Sequence, residues 1–183
     1  MILALDTWRV RHWSLAGLAF CGLMMAVALF LEHGVGLEPC PLCIFQRMAV
    51  LAAAAVFLVA AIHDPRRRVG AVVYGLLSLG AVLGGIALAG RHLWLQSLPP
   101  ERVPSCGPGL DYMMEILPLQ QVVSRVLSGS GECAEISFLW LGISLPGWTL
   151  IGFLVLSLAP LGLLLLACRR RVGYRWQGVP ERD

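Results

Sequence analysis

Four apolar segments dominate this chain, and each is long enough to cross a lipid bilayer. The first covers 13–31 without a charged residue. At about 1.5 Å per residue it makes roughly 28 Å of helix, close to the roughly 30 Å of a hydrocarbon core. The others are expected at about 44–62, 69–89 and 143–167. Gln46 and Arg47 interrupt only the start of the second, and Pro160 is expected to kink the fourth. Backbone N–H and C=O groups in lipid must be satisfied within the segment, so such a run folds as helix. The expected architecture is an all-α membrane protein, a four-transmembrane-helix bundle forming one domain over 1–183. Composition agrees: 14% of residues are charged and 58% hydrophobic, whereas soluble domains carry about 25% charged residues.

A cleaved leader is the competing reading of the first segment, because Ala26-Val27-Ala28 imitates a cleavage site. That triplet lies inside the apolar run rather than after it, and the run exceeds the about 7–15 residues of a leader's apolar stretch. It is read as a span. All basic residues besides histidine are arginine, and their placement sets orientation. Arg9 and Arg11 precede the first span, Arg66, Arg67 and Arg68 join the second to the third, and Arg169, Arg170, Arg171, Arg175 and Arg182 follow the fourth. The loop 32–43 has no arginine, and the loop 90–142 has only Arg91, Arg102 and Arg125, beside five acids (Glu101, Asp111, Glu115, Glu132 and Glu135). Both termini are therefore expected to be cytoplasmic, with both of these loops on the outer side of a bacterial inner membrane. Arginines placed at span ends, with a formal charge of only +3, do not describe a nucleic-acid surface.

The cysteines sort by side. Cys40 and Cys43 fall in the first outer loop, Cys106 and Cys133 in the second. Cys21 sits within the first span, and Cys168 follows the fourth beside the inner arginines. Every outward thiol has a potential partner, as an oxidising compartment would produce. On its own, the Cys106/Cys133 pair suits a structural cross-link as well as a functional one, since closing a loop of that size stabilises by a few kcal/mol. Cys40-Pro41-Leu42-Cys43 differs: its two-residue spacer closes almost no loop, yet recurs in redox-active dithiols. No metal site is expected, because neither Cys106 nor Cys133 belongs to a second Cys-x-x-Cys or to a short Cys/His spacing.

If the second helix starts near Pro41, a residue tolerated at the first helical position, Cys43 and Arg47 stand one turn apart on one face. Cys43 also lies in the first turn, where the helix dipole favours an anion. Both features favour thiolate over thiol. Arg47 can be read as snorkelling to the headgroups. An intramembrane charge facing a bundle interior is nevertheless a functional candidate, and this one suits a lipid-soluble electron acceptor. A quinone carbonyl gains negative charge on reduction, which arginine can stabilise.

Cys-x-x-Cys-x-x-x-Arg at the head of the second of four spans, with a second cysteine pair in a long second outer loop, resembles the DsbB family. Gly131-Glu132-Cys133-Ala134-Glu135 and Leu141-Gly142-Ile143-Ser144-Leu145-Pro146-Gly147-Trp148 are similar to the family pattern as well. The resemblance covers about residues 10–170. It implies an enzyme of the bacterial inner membrane that reoxidises a periplasmic DsbA-like thiol oxidase with ubiquinone or menaquinone. It also implies a relay: the partner's thiolate attacks Cys106 and releases Cys133, Cys133 attacks Cys40, and Cys43 passes electrons to quinone. Arg47, His92 and Gln96 correspond to positions near the quinone. A non-enzymatic membrane protein with two structural disulfides is the alternative, and it leaves the Cys43/Arg47 register unexplained.

The second outer loop carries one more element. Leu119, Val122, Val123, Val126 and Leu127 repeat at helical spacing, opposite Gln120, Gln121, Ser124 and Arg125. A short amphipathic helix is expected there, suited to lying on the outer leaflet as well as to an ordinary loop. Ser128-Gly129-Ser130-Gly131, just before Cys133, suits the mobility that exchange between the two pairs requires.

Overall fold

The computed structural model describes residues 10–103, 110–129, 131–136 and 138–176. Three long helices come first: α1 (Val10–His33), α2 (Pro41–His63) and α3 (Arg68–Gln96). A 3₁₀ turn (Pro100–Arg102) and three short helices follow, α4 (Leu110–Ile116), α5 (Leu119–Ser128) and α6 (Gly131–Ala134). A two-residue hairpin, β1 (Leu139–Trp140) with β2 (Ile143–Ser144), leads into α7 (Leu145–Leu156) and α8 (Leu158–Trp176). Four helical stretches are long and apolar enough to cross a membrane: α1, α2, α3, and α7 with α8 as far as Arg169. Only 17–39% of each is buried inside the bundle, so most of an apolar surface faces outward, as lipid requires. The chain is a multi-pass, four-helix membrane bundle.

α3 is the spine. It packs on α2, α7 and α8, while α1 closes the ring against α2 and α8. The main core runs along this ring around the fully buried rings of Phe57 and Phe153. Glycine makes both fits possible, because small residues let membrane helices approach closely. A Cβ on Gly17 would stand 2.8 Å from the Phe57 ring, and one on Gly85 would overlap the Phe153 ring.

Three boundaries matter for the site. α2 opens at Pro41, with Cys40 in extended geometry (φ −66°, ψ 162°) as its cap and the Cys43 N–H donating to the Cys40 sulfur. α3 continues to Gln96, seven residues past the apolar run read as the third span. The fourth span is interrupted at Ser157, between α7 and α8. Pro160 has no N–H to offer the Leu156 carbonyl, so the helical ladder breaks one turn before the proline.

The hairpin is the only β structure among the described residues. Its turn, Leu141 and Gly142, has φ of 52° and 77°. Positive φ at both central positions matches the twist of a two-residue hairpin, and for leucine it is uncommon. Trp148 fastens the turn: its indole N–H donates to the Trp140 carbonyl at 3.1 Å, and the two rings lie 5.0 Å apart.

Candidate active site

The site forms where the start of α2 meets the end of α3. Cys40 and Cys43 are both half-buried, and their sulfurs lie 3.1 Å apart in a thiol hydrogen bond. The helical turn that begins at Pro41 produces this closeness: Cys40 caps the helix, Cys43 lies in its first turn, and the Ile44 N–H donates to the Cys40 carbonyl at 3.2 Å. Opposite them, α3 presents His92, which is only 3% exposed. Its Nε2 is 3.8 Å from the Cys40 sulfur, and its Nδ1 is 3.5 Å from the side-chain amide of Gln46. Gln46 is buried as well, at 4% exposure. Each polar group in this apolar setting therefore has a partner, as burial demands.

An apolar roof lies against Cys40. Val122 and Val126 of α5, Met113 of α4 and Cys133 of α6 form one buried cluster with Leu42 and Leu95, and Cys40 packs against it. Cys133 is 1% exposed. Arg91 holds the roof in place: its guanidinium donates to the Leu127 and Ser128 carbonyls, at 3.2 and 2.9 Å, and stacks over the Trp94 ring at 4.1 Å. A cation at the end of α5 also complements the helix dipole there.

Arg47 lies one turn along α2 from Cys43 and reaches across to α1, where it donates to the Glu32 carboxylate and, at 3.3 Å, to the Ala28 carbonyl. Gln96, one turn past His92, is held elsewhere. The Ser144 hydroxyl donates to its carbonyl oxygen at 2.7 Å, and its amide donates to the Glu135 carbonyl at 3.5 Å. It thereby fastens the loop and the hairpin to the end of α3.

Of the residues expected to act, the structure brings Cys40, Cys43 and His92 into one cluster and packs Cys133 into the roof that Cys40 touches. Arg47 stands at its edge in an ion pair, and Gln96 contacts the loop rather than the dithiol. Cys106 lies outside the described residues. Cys21 is buried in the main core and Cys168 is exposed on α8. Glu32, Gln46 and Ser144 were missing from the expected site. Gln46 could have been found as a second polar residue beside Arg47 inside a span, and Glu32 as the acid that ends the first apolar run, opposite a charge needing a partner.

The family model described as disulfide bond formation protein DsbB matches residues 10–163. Three similar proteins are each named disulfide bond formation protein B. One from Chromohalobacter salexigens is 60% identical over 173 residues, 93% of this chain and 100% of that protein. One from Nitrosococcus oceani is 49% identical over 152 residues, 83% of this chain and 89% of its own length. One from Acinetobacter baumannii is 53% identical over 134 residues, 73% and 78% of the two chains.

Proposed function

The chain belongs to the DsbB family of disulfide-forming membrane oxidoreductases, and from that premise we propose that it carries electrons from a periplasmic DsbA-like protein to membrane quinone. The reading places the chain in a bacterial inner membrane, with both termini cytoplasmic and the cysteine pairs on the periplasmic side. The arginine distribution supports this orientation.

The observation that carries the reading is the packing of Cys133 into the same apolar cluster as Cys40, whose sulfur is 3.1 Å from that of Cys43. In the proposed cycle a partner thiolate attacks the Cys106 sulfur of a Cys106–Cys133 disulfide, and Cys133 leaves as a thiolate. Cys133 then attacks Cys40 of the Cys40–Cys43 disulfide, and Cys43 leaves as a thiolate. The partner's second thiol releases Cys106, which closes on Cys133 and frees Cys40. Cys40 and Cys43 now hold two electrons. A bound ubiquinone or menaquinone would supply the acceptor for these two electrons and for the two protons that the partner's dithiol gives up. Losing those electrons restores the Cys40–Cys43 disulfide, so one partner disulfide is made per quinone.

The residues fit such an acceptor. A guanidinium has five N–H donors, and the two described bonds of Arg47 leave others for a ring oxygen. The Glu32 carboxylate fixes the side chain that would present them. His92 and Gln46 line the inner side of the dithiol. The apolar roof packs against Cys40 and leaves both cysteines only partly exposed to solvent.

The test uses the purified full chain in nanodiscs loaded with ubiquinone, to which a reduced DsbA-like protein is added. One quinone should be reduced per partner disulfide formed, and Cys43→Ser should stop quinone reduction. Partner oxidation that continues with no loss of quinone absorbance would overturn the reading.

A further inference from the structure

We propose that Cys40, Cys43 and His92, once the two cysteines are reduced, form a binding site for a soft, zinc-class metal ion, and that the site exists only in the dithiol state. The spacing of cysteines along the chain does not suggest it. His92 lies 49 positions beyond Cys43, and only the packing of α2 on α3 brings its ring to the sulfurs.

Geometry comes first. The three ligand atoms, two Sγ and a ring nitrogen, all lie within 4.8 Å of one another. Zinc takes sulfur at about 2.3 Å and nitrogen at about 2.0–2.1 Å, so two ligands on one tetrahedral ion stand about 3.5–3.8 Å apart. The Cys40 sulfur and His92 Nε2 are already 3.8 Å apart; the two sulfurs must open from 3.1 Å, and Cys43 must approach His92 from within 4.8 Å. Rotation about the cysteine side chains supplies that. Two thiolates and one imidazole leave a fourth position open, an arrangement zinc adopts in catalytic sites.

The surroundings complete the site. A metal-binding histidine is held by a bond to its other ring nitrogen, which fixes its tautomer and its aim. Buried Gln46 occupies that place on His92 Nδ1 at 3.5 Å. With the amide turned so that its carbonyl accepts from Nδ1–H, Nε2 carries the lone pair and points at Cys40. The Cys43 N–H already donates to the Cys40 sulfur at 3.4 Å, a bond that suits a coordinated thiolate. Charge also balances: a divalent ion with two thiolates is neutral, and a neutral complex is far cheaper to hold under an apolar roof than a bare anion. The neighbouring cation, Arg47, is matched by Glu32 and does not oppose the ion. Both cysteines are partly exposed, which leaves a way in.

Binding exchanges the two thiol protons for the ion and moves no electrons. The protons go to solvent. Formation of the Cys40–Cys43 disulfide removes both thiolates and dissolves the site, so an ion held there competes with oxidation and keeps the pair reduced. Soft ions of the zinc class would therefore inhibit by trapping the reduced site, whatever its electron acceptor.

The test uses the full-length chain in detergent with Cys21, Cys106, Cys133 and Cys168 replaced by serine, so that any thiolate signal comes from Cys40 and Cys43. The reduced protein is titrated anaerobically with Co²⁺, whose absorption reports its ligands. One ion per chain should bind, with a thiolate charge-transfer band and the strong visible bands of a tetrahedral site, and Zn²⁺ should displace it. The same protein with the Cys40–Cys43 disulfide formed should show neither band. His92→Gln and Gln46→Leu should each weaken binding by about tenfold or more, with helical content unchanged. Equal binding by the oxidised protein, no charge-transfer band at saturation, or a folded His92→Gln variant that binds as the parent does would each overturn the assignment. The comparison of redox states needs no variant at His92 or Gln46 and stands if both misfold.

Discussion

Arg47 and Glu32 form an ion pair that ties α2 to α1 one turn along from Cys43. The pair is partly exposed, and its bond together with that to the Ala28 carbonyl holds the arginine side chain against α1. Geometry as well as charge is therefore at stake in any substitution here. Arg47→Lys keeps the charge but loses the planar fork of donors, and Arg47→Ala loses both. A hydrogen bond to a charged group is worth about 1.5–3 kcal/mol, so Arg47→Ala should raise the apparent KM for quinone roughly tenfold or more. Arg47→Lys should raise it less, and Glu32→Gln should raise it by freeing the side chain. Thiol exchange with the partner should be spared in all three. Steady-state oxidation measured against quinone concentration decides; an unchanged quinone dependence in all three would return Arg47 to a structural role.

Cys133 is expected to be the resolving thiol behind Cys106. In Cys133→Ala the partner should remain attached as a mixed disulfide, and peptide mapping should place it on Cys106. An adduct on Cys40 or Cys43 would reverse the proposed order.

Cys21 and Cys168 lie in the main core and on the exposed side of α8, away from the dithiol. Replacing both with alanine should leave quinone-coupled oxidation within a few-fold of the parent. The buried Cys21 should cost about 1 kcal/mol of stability, as small truncations in a packed core do. Complete loss of activity would show that four cysteines are too few for the relay.

Gly85 is pressed against the Phe153 ring. Gly85→Ala should destabilise the bundle by about 1–3 kcal/mol through overpacking, read as a lower midpoint of thermal unfolding in detergent. Adding Phe153→Leu should return part of that loss. An additive double variant would show that the two residues do not meet.

Arg91→Ala removes both side-chain bonds to the last carbonyls of α5. Amides of α5 should then exchange with deuterium faster, and partner oxidation should slow because the roof over Cys40 loosens. Unchanged exchange in α5 would mean that Val122 and Val126 alone hold the helix.

The bundle was legible in the sequence because its cause is local: an apolar run in lipid has to be helical, and length alone identifies it. The end of α3 was not. Arg91, His92 and Gln96 look like residues past a span, and what keeps them helical are partners far away in the chain: the end of α5, Gln46, and Ser144. Cys40 and Cys43 could be read from spacing, but their link to His92 depends on how α2 and α3 align. The amphipathic helix was legible from its spacing and stands as α5. Val122 and Val126 face the roof, whereas Leu119 and Leu127 are 66% and 44% exposed, so its apolar residues serve two surfaces instead of one. The hairpin was hidden because leucine, not asparagine or glycine, sits at the first positive-φ position of its turn.

In the proposed relay, the packing of Cys133 into the cluster that Cys40 touches means that this thiol need not find Cys40 by an encounter in solution. Groups held together in this way react as if each were present at a very high local concentration. Small thiols dissolved outside cannot match that, and Cys133, clustered with Leu42, Leu95, Val122 and Val126, is only 1% exposed. In the proposed relay, specificity at this step would come from enclosure, the buried Cys133 being the thiol that reacts. The rate of the internal transfer should therefore be indifferent to how much protein the membrane holds, leaving docking of the soluble partner as the step that concentration controls.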